Sequence, residues 1–215
     1  MAERDLGYLK DRLQLYVVTD ERPDTDSVLQ AVREAVAGGA TAVQLRRKNE
    51  DGRRLVEMGH AIRRITREFG ALYFVNDRVD IALVTDADGV HVGQSDIPCK
   101  DVRALMGDKF VGISAATVEE AKQAERDGAD YLGVGALYPT SSKADAEVCG
   151  VEALEEILQV VSIPVVGIGG ISLENVQDVI RAGADGVAVV SAVMLAANPR
   201  SASQQFLEQI RAARG

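Results

Sequence analysis

Residues 164–193, PVVGIGGISLENVQDVIRAGADGVAVVSAV, constrain the fold more than any other part of the chain. Val165 to Ile168 reads as a strand apolar on both faces that breaks at Gly169-Gly170. Ser172 is placed to open a helix, and Gly186 to Val190 forms a second apolar strand ending at Ser191. Strands of this kind joined through a helix run parallel and need helices over both faces. A glycine pair directly after a strand lets backbone approach a ligand closely, and a helix start offers unpaired N–H groups. Such a corner holds an anion without Lys or Arg. In a closed barrel of eight βα units, the loops after strands seven and eight form the usual phosphate site. A plain tight turn would have the same local sequence, so the remaining strands must decide.

They repeat the pattern. Met1 to Arg12 is polar and reads as a short helix across the barrel base. Leu15 to Val18 is then a β-branched apolar run stopped by Thr19-Asp20. Asp24 or Asp26 caps the next helix, which ends near Gly38-Gly39. Ala42 to Leu45 is the second strand, and the helix from Gly52 to Phe69 places Leu55, Met58, Ile62 and Ile65 on one face. Leu72 to Val75, Gly89 to Val92, Phe110 to Ile113 and Tyr131 to Val134 continue the series. Short helices are expected around Asp80 to Leu83 and from Thr117 to Arg126. A long irregular segment, Leu137 to Gly150, precedes a helix from Val151 to Val160. A final helix is capped by Ser201 or Ser203. Gly39-Ala40-Thr41, Gly128-Ala129-Asp130 and Gly183-Ala184-Asp185 each fall between a helix and the next strand, so one αβ turn recurs. The expected fold is α/β, a single (βα)8 TIM barrel over residues 1–215 with a short N-terminal helix.

In such a barrel the C-terminal strand ends share one mouth, and every polar cluster of this sequence lies at such an end. The second strand contributes Gln44, Arg46 and Lys48, the third Asn76 and Asp77, the fourth Gln94 and Asp96, and the fifth Ser114. Thr140, Ser142 and Lys143 follow the sixth, opposite Gly170, Val190 and Ser191. Asp77 and Asp96 are hard oxygen donors suited to magnesium, which binds one or two carboxylates together with substrate phosphates. Arg46, Lys48 and Lys143 suit the same phosphates. His91 lies inside a strand and His60 on a helix, and both read as structural.

Charge narrows the partners. A formal charge of −9 argues against nucleic acid. No apolar run approaches the length of a membrane span or the pattern of a signal peptide. Cys99 and Cys149 lack metal-ligand spacing and read as free thiols, so the setting expected is cytoplasmic. Phosphorylated small molecules are the expected partners, with homo-oligomerisation left open.

Six motifs then carry a resemblance. Leu15-Tyr16-Val17-Val18-Thr19-Asp20, Gln44-Leu45-Arg46-Arg47-Lys48, Phe74-Val75-Asn76-Asp77-Arg78 and His91-Val92-Gly93-Gln94-Ser95-Asp96 are followed by Gly133-Val134-Gly135 with Pro139-Thr140-Ser141-Ser142-Lys143, and by Gly167-Ile168-Gly169-Gly170-Ile171. In order and spacing this series resembles the thiamin-phosphate synthase family over nearly the whole chain. The resemblance implies a transferase that joins hydroxymethylpyrimidine diphosphate to thiazole phosphate, releasing pyrophosphate by a dissociative, magnesium-assisted route. It implies that Gln44, Arg46, Lys48, Asn76 and Lys143 contact the diphosphate substrate and that Asp77 and Asp96 hold magnesium. Ser114 would contact the reacting pyrimidine or pyrophosphate, with Lys143, Ser114 and Arg46 the catalytic set. Thr140 and Ser142 would lie on a covering loop, and Gly170, Val190 and Ser191 would bind the thiazole phosphate.

The chain departs from the commonest family pattern at Ser142, where Thr is usual, at Arg47, where an acidic residue is frequent, and at Ala136-Leu137-Tyr138. Rival readings are a thiazole tautomerase of the same superfamily, which tends to lack the full diphosphate and magnesium set, and a non-catalytic sensor of phosphorylated ligands. A sugar-phosphate epimerase would need a His-rich metal site that this chain lacks.

Overall fold

The structure, a computed structural model, describes residues 5–140 and 147–215. Ser142 and Lys143 lie outside the described residues. Eight parallel strands form a closed barrel in sequence order. They are β1 (Leu15–Val18), β2 (Ala42–Leu45), β3 (Leu72–Asn76), β4 (Gly89–Val92), β5 (Phe110–Ala115), β6 (Tyr131–Val134), β7 (Val165–Ile168) and β8 (Gly186–Val189). The ring closes where β8 pairs with β1, Leu15 opposite Val187. Helix α1 (Leu6–Arg12) precedes the barrel. Around it follow α2 (Thr25–Ala37), α3 (Gly52–Phe69), α4 (Val79–Val84), α5 (Cys99–Met106), α6 (Val118–Arg126), α7 (Gly150–Leu158), α8 (Val176–Arg181), α9 (Ser191–Met194) and α10 (Pro199–Arg214). No helix among the described residues is long and apolar enough to cross a membrane.

The sequence-based elements stand with three corrections, and one open alternative is resolved. Helix α5 was not expected, because only Val102 and Met106 of its residues are buried and two positions show no periodicity. Asp24 is the cap of α2, accepting from the amides of Asp26 and Ser27. The last helix is capped by Asn198, with Pro199 in its first turn, and not by Ser201 or Ser203. Proline fixes the helical φ and lacks only an N–H that would be unpaired there. Ser172 opens a turn, not a helix: its amide donates to Asn175 Oδ1 at 2.8 Å, and α8 begins at Val176.

Strand residues alternate between two apolar layers. Leu15, Val17, Val43, Tyr73, Val75, Val90 and Val111 face the helices. Tyr16, Val18, Ala42, Leu72, Phe74, Tyr131, Val166 and Ala188 fill the barrel interior, and Leu9 of α1 packs beneath them with Leu13, closing the base as expected. Two glycines make room for the aromatic filling. A Cβ on Gly112 would lie 2.1 Å from the Tyr131 ring, and one on Gly89 would lie 2.6 Å from the Phe74 ring. Both rings therefore depend on a bare strand position beside them.

The recurring αβ turn has a physical cause. Thr41, Asp88, Asp130 and Asp185 each send a backbone N–H to a carbonyl in the first two residues of the preceding strand, at Leu15, Tyr73, Val111 and Val165. Each side chain also accepts the N–H of that same residue, at 2.8–3.0 Å. One side chain, an Asp or a Thr, thus pins the register of two neighbouring strands at the bottom of the barrel. The turn at Asp88 was missed because Asp86, at φ 51, stands where the other three turns have glycine. Arg63, Arg103 and Lys10 cover the carboxylates of Asp88, Asp130 and Asp185. Asp130 is only 3% exposed. Its replacement by Ala is expected to cost about 3 kcal/mol by urea denaturation, because it strands the Val111 N–H and the Arg103 charge together. Asp130→Asn keeps an acceptor for that N–H and is expected to cost about half as much. Equal losses would assign the whole effect to charge.

Candidate active site

The mouth is built from inward-facing positions at the C-terminal strand ends. Gln44, 4% exposed, follows Ala42 by two residues on β2, and its Nε2 donates to Tyr16 Oη at 2.9 Å. Tyr16 Oη lies 3.0 Å from Tyr131 Oη, and Tyr131 Oη lies 3.0 Å from His91 Nδ1. His91 Nε2 is 3.0 Å from Ser114 Oγ. Burial holds His91 down at about 4, so its ring is neutral at neutral pH. Burial likewise pushes the phenols of Tyr16 and Tyr131 far above their usual range. Side chains from five strands are joined in one buried chain. Its ends, Gln44 and Ser114, are both residues singled out from the sequence.

Beside it, charges of both signs meet. Asp77 has φ 61, a left-handed conformation, and its amide donates to the carbonyl of His91 at 2.8 Å. Burial first, and then the Asp96 carboxyl at hydrogen-bonding distance, raise Asp77 to about 6. Lys48 Nζ lies 3.6 Å from Asp77 Oδ2, and Arg46 Nη1 lies 3.6 Å from Glu21 Oε1. Asp96 Oδ2 also accepts the Gly93 amide at 2.8 Å, so its side chain is fixed by its own turn. Among the described residues no three His, Cys, Asp or Glu side chains form a metal cluster. A pair of neighbouring carboxylates, with Asp77 raised by burial and by Asp96 beside it, nevertheless suits a hard divalent cation that keeps water and takes substrate phosphate as further ligands.

Arg47 does not join the cationic set. It is buried, and its Nη1 donates to the carbonyls of Asp20 at 3.3 Å and Arg22 at 2.5 Å, while Nη2 binds Glu50 at 2.8 Å. Its role is to tie the loop after β1 to the loop after β2. Arg46 and Lys48 are left to the mouth.

Across the mouth, the register Ile168 opposite Ala188 sets the segments after β7 and β8 side by side. The first bonds of α9 run from Val193 and Met194 to the carbonyl of Val190, leaving the preceding amides of Ser191 and Ala192 before any intrahelical acceptor. Gly169 and Gly170 have φ of 95 and 65. The chain after β6 crosses directly over them, with the amides of Leu137 and Tyr138 bonded to the carbonyls of Ile168 and Gly169. Thr140 ends the described part of that segment and is partly buried. A surface groove of about 580 Å³ between Gly52 of α3 and Val84 of α4 contains none of the expected site residues.

A sequence model described as thiamine monophosphate synthase matches residues 15–193. The chain belongs to the thiamine monophosphate synthase family. A thiamine-phosphate synthase of Moorella thermoacetica is 52% identical over 204 residues, covering 94% of this chain and 97% of the relative. A Pyrococcus furiosus thiamine-phosphate synthase is 47% identical over 198 residues, covering 92% and 95%. The solved thiamine phosphate pyrophosphorylase of Pyrococcus furiosus superimposes with a TM-score of 0.89 at 44% identity, over 96% of this chain and 100% of that one. This member of the thiamine monophosphate synthase family is therefore a transferase of thiamine biosynthesis.

Sequence reasoning missed Tyr16, Tyr131 and Glu21 at this synthase-family mouth, and it gave His91 a structural role only. One signal was available: Tyr16, Gln44, His91, Tyr131 and Ser114 are polar-tipped residues within otherwise apolar strands. Residues of that kind buried in a barrel need a partner, and here they partner one another.

Proposed function

We propose that this mouth joins hydroxymethylpyrimidine diphosphate to thiazole phosphate, giving thiamin phosphate and pyrophosphate. The observation that carries the reading is the Asp77–Asp96 carboxyl pair with Lys48 at 3.6 Å, placed at the ends of adjacent strands facing the mouth. The carbon–oxygen bond to the diphosphate breaks with its electron pair leaving on pyrophosphate, and the thiazole nitrogen then attacks the methylene carbon. Negative charge grows on the departing oxygen, so fixed cations contribute more than any proton donor. Arg46, Lys48 and Lys143 are assigned to that charge, with Gln44, Asn76 and Ser114 holding the pyrimidine end. Asp77 and Asp96 would hold magnesium, which when bound neutralises charge on the leaving pyrophosphate. Thr140 and Ser142 are assigned to the covering segment. Gly170, Val190 and Ser191 are assigned to the thiazole phosphate, where backbone amides can meet it.

Cys99 and Cys149 are unpaired thiols raised chiefly by burial, in keeping with a cytoplasmic setting. Incubation of the purified protein with both substrates and magnesium is expected to yield thiamin phosphate and pyrophosphate in equal amounts, and chelation of the metal is expected to stop it. Isomerisation of the thiazole without coupling would instead favour the tautomerase. Binding without any product would favour the sensor.

A further inference from the structure

The buried chain from Gln44 to Ser114 has a direction. Gln44 Nε2 donates to Tyr16 Oη, so the Tyr16 proton is available for Tyr131 Oη, 3.0 Å away. By the same step the Tyr131 proton goes to His91 Nδ1 at 3.0 Å. Nδ1 is then an acceptor, and the ring carries its proton on Nε2, which donates to Ser114 Oγ at 3.0 Å. Ser114 keeps its own proton for a group outside the chain. At the other end, Gln44 has committed its amide nitrogen inward and has its carbonyl oxygen left for the mouth.

No single link can be reversed alone. Turning one of them sets donor against donor, or acceptor against acceptor, in a chain whose members Gln44, Tyr16, Tyr131 and His91 are buried, and an unmade bond among buried groups costs roughly 1–3 kcal/mol. Tyr16 is 2% exposed and Tyr131 fully buried, so water cannot repair the fault. Only a concerted reversal of the whole chain satisfies every member, and it would exchange what both ends present: Gln44 its amine, Ser114 its lone pairs.

We propose that Tyr16, Tyr131 and His91 are positioning residues that set Gln44 to present an amide carbonyl and Ser114 a hydroxyl proton to the substrate ring, so that an aminopyrimidine is selected over its oxo analogue. The inference rests on the reading that this mouth takes the pyrimidine diphosphate. Gln44 accepts from the exocyclic amine, and Ser114 donates to an acceptor of the same substrate. The oxo analogue brings a carbonyl where the amine was, against the Gln44 oxygen, and a site built for a donor discriminates strongly against that change. Ring packing alone would not give this selectivity, because it does not distinguish the two analogues.

Two measurements test it. The chain has two histidines, and His60 is exposed on α3, so nitrogen-15 spectra of the whole protein beside a His60→Gln variant isolate His91. A pyridine-like Nδ1 and a pyrrole-like Nε2 are expected. Protonation at Nδ1 would overturn the direction. In the second, Tyr131→Phe removes the hydroxyl that joins Tyr16 to His91 while keeping the ring against Phe74. The preference in kcat/KM for the amino over the oxo diphosphate is expected to fall by about tenfold or more, with KM for thiazole phosphate unchanged. A variant slowed equally with both analogues, its preference intact, would show a packing role and overturn the proposal. Tyr16→Phe breaks the chain one link earlier and gives the same reading should Tyr131→Phe not fold. Absence of turnover in the unsubstituted protein would sink the proposed reaction, while the His91 tautomer would still decide the direction of the chain.

Discussion

Replacing Asp96 with Asn is expected to lower the single-turnover rate by about two powers of ten, equivalent to about 3 kcal/mol of barrier, and part of that loss is expected to return as magnesium is raised. Asn keeps the shape, and its side-chain oxygen can still accept the Gly93 amide that Asp96 Oδ2 holds at 2.8 Å, so the turn should survive. What disappears is one of two carboxylates at the ends of adjacent strands. Nothing in the proposed reaction asks either carboxylate to move a proton at the reacting carbon. A general-base role would leave a rate deficit that no concentration of metal repairs, because the missing group would be the chemistry itself. The thiazole phosphate is assigned to the opposite side of the mouth, so its affinity measured without the diphosphate substrate is expected to change little. A magnesium titration of the single-turnover rate settles the matter: no rescue, together with an unaltered metal affinity, would sink the assignment.

The second large effect is expected at Gly170. Because this residue was assigned to the thiazole phosphate, Gly170→Val would be expected from sequence to block that ligand alone. The geometry makes it a broader lesion. A Cβ there would stand 2.5 Å from the carbonyl oxygen of Pro139 and 2.7 Å from the Tyr138 side chain, and the residue sits at φ 65, which a β-branched side chain adopts only under strain. The backbone strain and the displaced crossing segment together are expected to cost about 3–5 kcal/mol in thermal or urea unfolding. Thr140 follows Pro139 directly, so binding of both substrates is expected to weaken, as read by calorimetry on each ligand separately. Loss of thiazole phosphate binding alone, at unchanged stability, would show that the segment after β6 yields without consequence.

The strands and their order were legible because parallel strands covered on both faces are written as continuous apolar runs, and because each run stops at polar residues that cannot continue it. The repeated Gly-Ala-Asp or Gly-Ala-Thr turn gave the unit, although it did not show that the side chain pins two strands. The mouth inventory followed from one rule, that C-terminal strand ends converge. It located Gln44, Arg46, Lys48, Asn76, Asp77, Asp96 and Ser114 at such ends.

Three-dimensional closure decided the rest. Helix α5 and the cap at Asn198 were missed because short helices are held by tertiary contacts and by local side-chain bonds that several nearby residues could make equally well. Arg46, Arg47 and Lys48 are three adjacent cations in sequence, and only the twist of the chain after β2 turns Arg47 inward onto backbone carbonyls while the others stay at the mouth. Tyr16, His91 and Tyr131 come from strands separated by up to 115 residues, and no local pattern could join them. The sequence by itself determined the βα repeat, the barrel and the polar residues at its mouth, since these follow from periodicity and local backbone chemistry. Which of those residues touch, and in which direction their hydrogen bonds run, was decided only when the ring closed and buried them together, where every donor needs an acceptor within reach.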